Sequence, residues 1–173
     1  MSKLSLIALE HFQGNSERTR SRVDVIILSQ CKTQILCYFP VNDGLPETPG
    51  GGIDPGENTI QAAIRETMEE SGHTLKDIQV LSENEYRYSS KENLNCWLNK
   101  NNVDYQIENF VVAISTGFNP DKHYAKEGDV KPFKFLPLVD FVSQTKIRLS
   151  NAQNPHWTYQ CVVRNWLIEK YLL

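Results

Sequence analysis

Two rhythms of apolar residues run along the chain. Residues 23–29 (VDVIILS) are rich in β-branched side chains and read as a strand. A polar turn at 30–33 follows, and residues 34–39 (QILCYF) read as its hairpin partner. Residues 78–81 lead into 83–89, where Tyr86 and Tyr88 alternate with charged neighbours. Residues 109–116 (NFVVAIST) form the strongest later strand, and 133–138 (FKFLPL) a shorter one that ends near Pro137. Helical spacing appears in two places. Ile60, Ala63, Ile64 and Thr67 recur at i, i+3, i+4 and i+7, a stripe predicted to face the core. Trp157, Cys161, Val162, Trp166, Ile168 and Leu172 are interleaved with polar residues over 156–172, which predicts a closing helix. Strands, a helix, more strands and a terminal helix make a mixed α/β domain. With no repeat, low-complexity tract or linker, residues 1–173 read as one domain.

The first helix carries the chemistry. Pro49 and the glycines Gly50, Gly51 and Gly52 precede it, a loop composition that lets a ligand approach the backbone closely. Asn58 is a candidate N-cap, with Gln61 three residues later completing a capping box, and Gly72 stands where a left-handed residue would end the helix. The predicted length is about 14 residues, or roughly 21 Å. Glu66, Glu69 and Glu70 lie at i, i+3 and i+4, so one face stacks three carboxylates, largely off the apolar stripe. Arg65 can neutralise part of that charge through its planar fork. The remainder calls for a hard cation, and oxygen-only ligands without His or Cys suit Mg²⁺ or Mn²⁺. Such ions keep waters and bind substrate phosphates, so the stretch reads as a phosphate-chemistry site.

Residues 51–73 (GGIDPGENTIQAAIRETMEESGH) resemble a Nudix box, G-x5-E-x7-R-E-U-x-E-E-x-G-U, with U a bulky aliphatic. Gly51, Glu57, Arg65, Glu66, Glu69, Glu70 and Gly72 occupy its fixed positions at the required spacing. Thr67 and His73 depart from it, standing where aliphatics are usual. The resemblance implies a Nudix-type α/β/α sandwich around a mixed β-sheet. It also implies hydrolysis of a nucleoside diphosphate linked to another moiety, with a ligand-binding domain lacking catalysis as the alternative. By the same resemblance, Glu66, Glu69, Glu70 and the Gly50 carbonyl would hold metal. Arg65 would pair with Glu57 or Glu69 to keep the carboxylates aligned, and Glu66 or Glu127 would orient or deprotonate the attacking water.

Composition bounds the rest. With 40% hydrophobic and 23% charged residues, the chain can bury a good core. A net charge of −3 and a pI near 5.8 argue against a long nucleic-acid partner. Cys31, Cys37, Cys96 and Cys161 are scattered without metal-ligand spacing, which predicts reduced thiols and a cytoplasmic location. The apolar piece at residues 4–9 ends too early for a signal peptide, and no run is long enough to span a membrane.

Substrate choice is expected to come from outside the box. The polar segment over 89–104 carries Trp97, read as a packed hairpin extension, a substrate lid or a dimer arm. Tyr88, Trp97 or Tyr105 would stack on a base in the second case. Tyr88 lies fifteen residues past His73, loosely like members acting on dinucleoside polyphosphates. A modified (d)NTP, a nucleotide sugar and RNA 5′ ends are the other candidates. Arg18, Arg20 and Arg22 precede the first predicted strand and are read as solvated, with Arg22 a candidate phosphate contact. Glu127 is read as a metal ligand, a base or a plain loop carboxylate, with Asp129 its rival.

Overall fold

The computed structural model describes residues 18–40, 44–89, 103–119, 132–151 and 155–173, with the backbone alone at 87–89, 147–151 and 155–159. Strand β1 (Thr19–Leu28) lies parallel to β5 (Tyr105–Phe118) along its whole length, Thr19 opposite Tyr105 and Leu28 opposite Ile114. β4 (His73–Ser89) runs antiparallel on the far side of β5. The other flank of β1 is shared. β2 (Gln34–Cys37) pairs its C-terminal end, and β3 (Gly50–Gly52) pairs Arg22, Val23 and Asp24. β6 (Lys134–Pro137) closes the far edge against β2, so the order is β4-β5-β1-β2-β6.

Alternation along β1 builds two cores. Val23, Val25 and Ile27 join Leu36 and Val111 beneath α1 (Thr59–Ser71), meeting Ala62 and Ala63. Ile26 and Leu28, of the opposite parity, pack with Ile35, Val112, Phe141, Val142 and Ile168. Phe141 and Val142 come from α2 (Leu138–Asn151), and Ile168 from α3 (Pro155–Tyr171). The result is the expected α/β/α sandwich around a mixed sheet.

Several expectations need correction. β1 begins at Thr19, so Arg20 and Arg22 belong to the strand instead of preceding it. The three glycines form β3, although glycine is a poor strand residue, because they lie against β1 as an edge. β4 is one strand with irregular register between Ser82 and Tyr86, where Asn84 has φ 58° and its N–H donates to Asn109 Oδ1 at 2.9 Å. Helix α2 was not expected. The buried stripe of α1 is Thr59, Ala62, Ala63, Thr67 and Ser71, while Ile60 and Ile64 are exposed. The small residues let the helix sit close to the sheet, and the isoleucines are turned away as a consequence.

Candidate functional site

Helix α1 is aimed by its ends. Asn58 Oδ1 accepts from the Gln61 N–H and Gln61 Oε1 from the Asn58 N–H, both at 2.9 Å, so the capping box is complete. Gly72 ends the helix at φ 67°, its N–H donating to Met68 O. Between these ends Arg65 gathers the polar loop. It donates to both oxygens of Glu57 at 2.8 Å, to Glu66 at 2.9 Å, to Glu69 at 3.3 Å and to the Gly52 carbonyl at 2.8 Å. The expected choice between Glu57 and Glu69 is therefore resolved as both. The bidentate Arg65 fork and the Asp54 N–H hold the Glu57 carboxyl down at about 2.

Glu66 differs from its neighbours. Its side chain is 13% exposed against 43% for Glu69. Burial pushes its pKa up against the pull of Arg65, and Glu70 and Glu69 add like-charge repulsion. Glu70 is anchored separately, accepting from the Gly50 N–H at 3.0 Å. Among the described residues no three acidic, His or Cys side chains converge as a metal cage, because Arg65 and the Gly50 N–H hold these carboxylates. The donor set still fits a hard cation. It is oxygen-only, rich in negative charge, and borders a backbone without side chains.

The glycines of β3 form a thin wall between two charged layers. A Cβ on Gly51 would stand 2.2 Å from Glu66 Oε1, so a side chain there and Glu66 in its present position exclude each other. On the other side, a Cβ on Gly52 would stand 3.1 Å from Arg20 Nη2. Arg22 Nη2 reaches the Gly50 carbonyl at 3.4 Å. The two arginines thus face the loop from behind while the carboxylates of α1 face it from the front.

The wall is tied to the body by a buried network absent from the sequence reading. Asp24 accepts from Thr48 Oγ1, from Gln160 Nε2 at 2.9 Å and from Arg164 Nη1 at 3.2 Å, and Arg164 Nη1 also donates to Thr48 Oγ1 at 2.7 Å. The Val25 N–H donates to Pro49 O. Residues 48–50 are fixed from both sides as a result. The signal was present. Arg18, Arg20, Arg22 and Asp24 recur with period two, as do Gln106 and Glu108, which in a strand places each set on one face.

Of the expected site residues, the structure brings together Gly50, Glu57, Arg65, Glu66, Glu69, Glu70 and Arg22. Glu127, Asp129 and Trp97 lie outside the described residues. Tyr88 is placed in β4 opposite Gln106, but its side chain lies outside them too.

The family model of the NUDIX domain matches residues 18–158. The chain belongs to the Nudix family. A Bacillus subtilis (strain 168) protein, provisionally named 8-oxo-dGTP diphosphatase, is 43% identical over 49 residues, 28% of this chain and 32% of that one. The chain thus matches about a third of the length of that curated relative. A NUDIX hydrolase from Nitrosomonas europaea superposes with a TM-score of 0.57 at 18% identity, over 90% of this chain and 91% of that one. That likeness concerns the Nudix fold. Nudix enzymes act on small nucleotide substrates and generally use divalent ions. Among the described residues no helix is long and apolar enough to cross a membrane.

Proposed function

We propose that this Nudix chain is a divalent-cation-dependent pyrophosphohydrolase acting on a nucleoside diphosphate linked to another group. The modified (d)NTP class is the best supported, since the Bacillus subtilis relative is named for 8-oxo-dGTP. The complete set Glu57, Arg65, Glu66, Glu69 and Glu70, gathered around a side-chain-free strand, carries the reading. Glu66, Glu69, Glu70 and the Gly50 carbonyl would hold Mg²⁺ or Mn²⁺, which would offset phosphate charge and lower the pKa of the attacking water.

The remaining work belongs to the chain. Arg65 fixes the loop through Glu57 and Gly52 O, and its bonds to Glu66 and Glu69 keep those carboxylates on the face where they would hold a cation. Arg22 lies behind the Gly50 carbonyl, at the wall where a diphosphate would rest. Water oxygen bonds to one phosphorus as the bridging P–O bond breaks, the electron pair leaving with the departing phosphate. The water proton passes to a carboxylate. Glu66 is the buried candidate in the described site, and Glu127 is its rival.

The test is a panel of nucleotides read by product identity, with Mg²⁺, with Mn²⁺ and with excess chelator. Turnover should require the metal and yield a nucleoside monophosphate with pyrophosphate or a phosphorylated partner. Hydrolysis undiminished in chelator would sink the mechanism. Nucleotide binding by calorimetry without any turnover would instead identify a non-catalytic Nudix binding domain.

A further inference from the structure

The sheet is polar where its helix-covered face should be apolar. On the side of α2 and α3, β1 presents Arg20, Arg22 and Asp24 before Ile26 and Leu28, and β5 presents Gln106 and Glu108 before Phe110 and Val112. Parallel pairing sets Arg20 beside Gln106 and Arg22 beside Glu108, and Arg22 is paired in turn with Gly52. Glu108 therefore stands two strand spacings, roughly 10 Å, from the glycine wall. That is the reach of a nucleoside from its first phosphate to the far edge of its base.

Glu108 and Gln106 are both buried. Glu108 Oε1 accepts from Gln106 Nε2. Glu108 Oε2 is buried without a hydrogen-bond partner among the described residues. A desolvated acceptor in that condition costs free energy, and few native groups are left so. Asp24 is the contrast on the same floor, because its two oxygens take three side-chain donors. Burial raises the Glu108 pKa and Asp24 adds to the rise, while Arg22, the Gln106 hydrogen bond and Arg20 pull the other way, and none of these fills its second oxygen.

We propose that Glu108, held by Gln106, selects the substrate by accepting hydrogen bonds from a guanine-type base, with Arg20 and Arg22 facing the phosphates between it and α1. This rests on the nucleotide-hydrolase reading above. The pairing edge of guanine presents a ring N–H next to an exocyclic NH₂, two donors that suit a carboxylate. Adenine offers a ring acceptor at the corresponding place. Because Glu108 is closed from solvent, the base must displace what lies over the floor, and the carboxylate gains its missing partner at that moment.

The experiment compares the whole chain with Glu108→Gln and Gln106→Leu on dGTP, 8-oxo-dGTP, dATP, dCTP and dTTP with Mg²⁺, reading kcat/KM and melting temperature. The unaltered protein should prefer the two guanine-type nucleotides by about 10- to 100-fold, the range of a hydrogen bond to a charged group. Glu108→Gln should erase most of that preference, keep turnover of the other nucleotides, and melt at or above the parent temperature. Gln106→Leu should weaken the same preference. Absence of a guanine preference in the parent, or an equal loss on every base, overturns the role of Glu108 with hydrolysis intact. If Glu108→Gln does not fold, an unchanged preference in Gln106→Leu decides against the role. A parent that cleaves no nucleotide overturns both readings, so the two failures are told apart by its turnover.

Discussion

Thr67 Oγ1 is buried beneath α1 and has no hydrogen-bond partner among the described residues. The family pattern places an aliphatic there, and the cost of the hydroxyl is that of a desolvated, unpaired group. Thr67→Val keeps the shape and removes that cost, so it should stabilise the chain by about 1–2 kcal/mol, as read by denaturant midpoint at unchanged slope. A loss of stability would show that the hydroxyl has a partner after all. The other departure, His73, is accommodated differently. Its ring lies between Phe118 and Phe135 with Nδ1 2.7 Å from Ser115 Oγ, and burial lowers its pKa, so it serves as a neutral aromatic filler. At this scale the sequence names the box residues and their spacing. It is silent on partners such as Phe118 for His73, because these are set by which strands become neighbours.

Elements were legible where local chemistry decides them. The capping box, the Gly72 terminus and the strand at 109–116 are local and appear as expected. Helix α2 is obscured because Pro137 reads as the end of a strand that takes in Leu138, the residue that completes the buried stripe of Leu138, Phe141, Val142 and Thr145. β3 is not legible as a strand, since no propensity favours three glycines in one; only the neighbouring β1 makes them a strand. Its role is testable. Gly51→Ala would place a Cβ 2.2 Å from the present position of Glu66 Oε1, so the carboxylate must move while Glu57 and Arg65 remain paired. Activity should fall about 100-fold, the scale of a 1 Å displacement of a reacting group, with a change in melting temperature of only a few degrees. Retained activity would mean that Glu66 works from another position.

The whole molecule is a sandwich with a charged seam at the glycine wall, carboxylates in front of it and arginines behind. The front is legible in the sequence because the box spacing is local to one helix. Asp24, Thr48, Gln160 and Arg164 are not legible as a network, because it joins residues 140 positions apart in its longest bond. The seam couples stability to metal. Glu66, Glu69 and Glu70 repel one another on the folded helix, and a cation that gathers them binds the folded chain and not the unfolded one. Mg²⁺ at a hundredfold excess over its Kd should then stabilise by about 2.7 kcal/mol, and chains of this size shift by roughly 2–4 °C per kcal/mol, so melting should rise by about 5–11 °C. Glu70→Gln keeps an oxygen for the Gly50 N–H but removes one charge. It should leave the metal-free protein equally or more stable and lose much of the Mg²⁺ increment, with turnover down about two to four orders of magnitude. A Mg²⁺ increment that survives Glu70→Gln intact would place the cation away from α1, whatever happens to turnover.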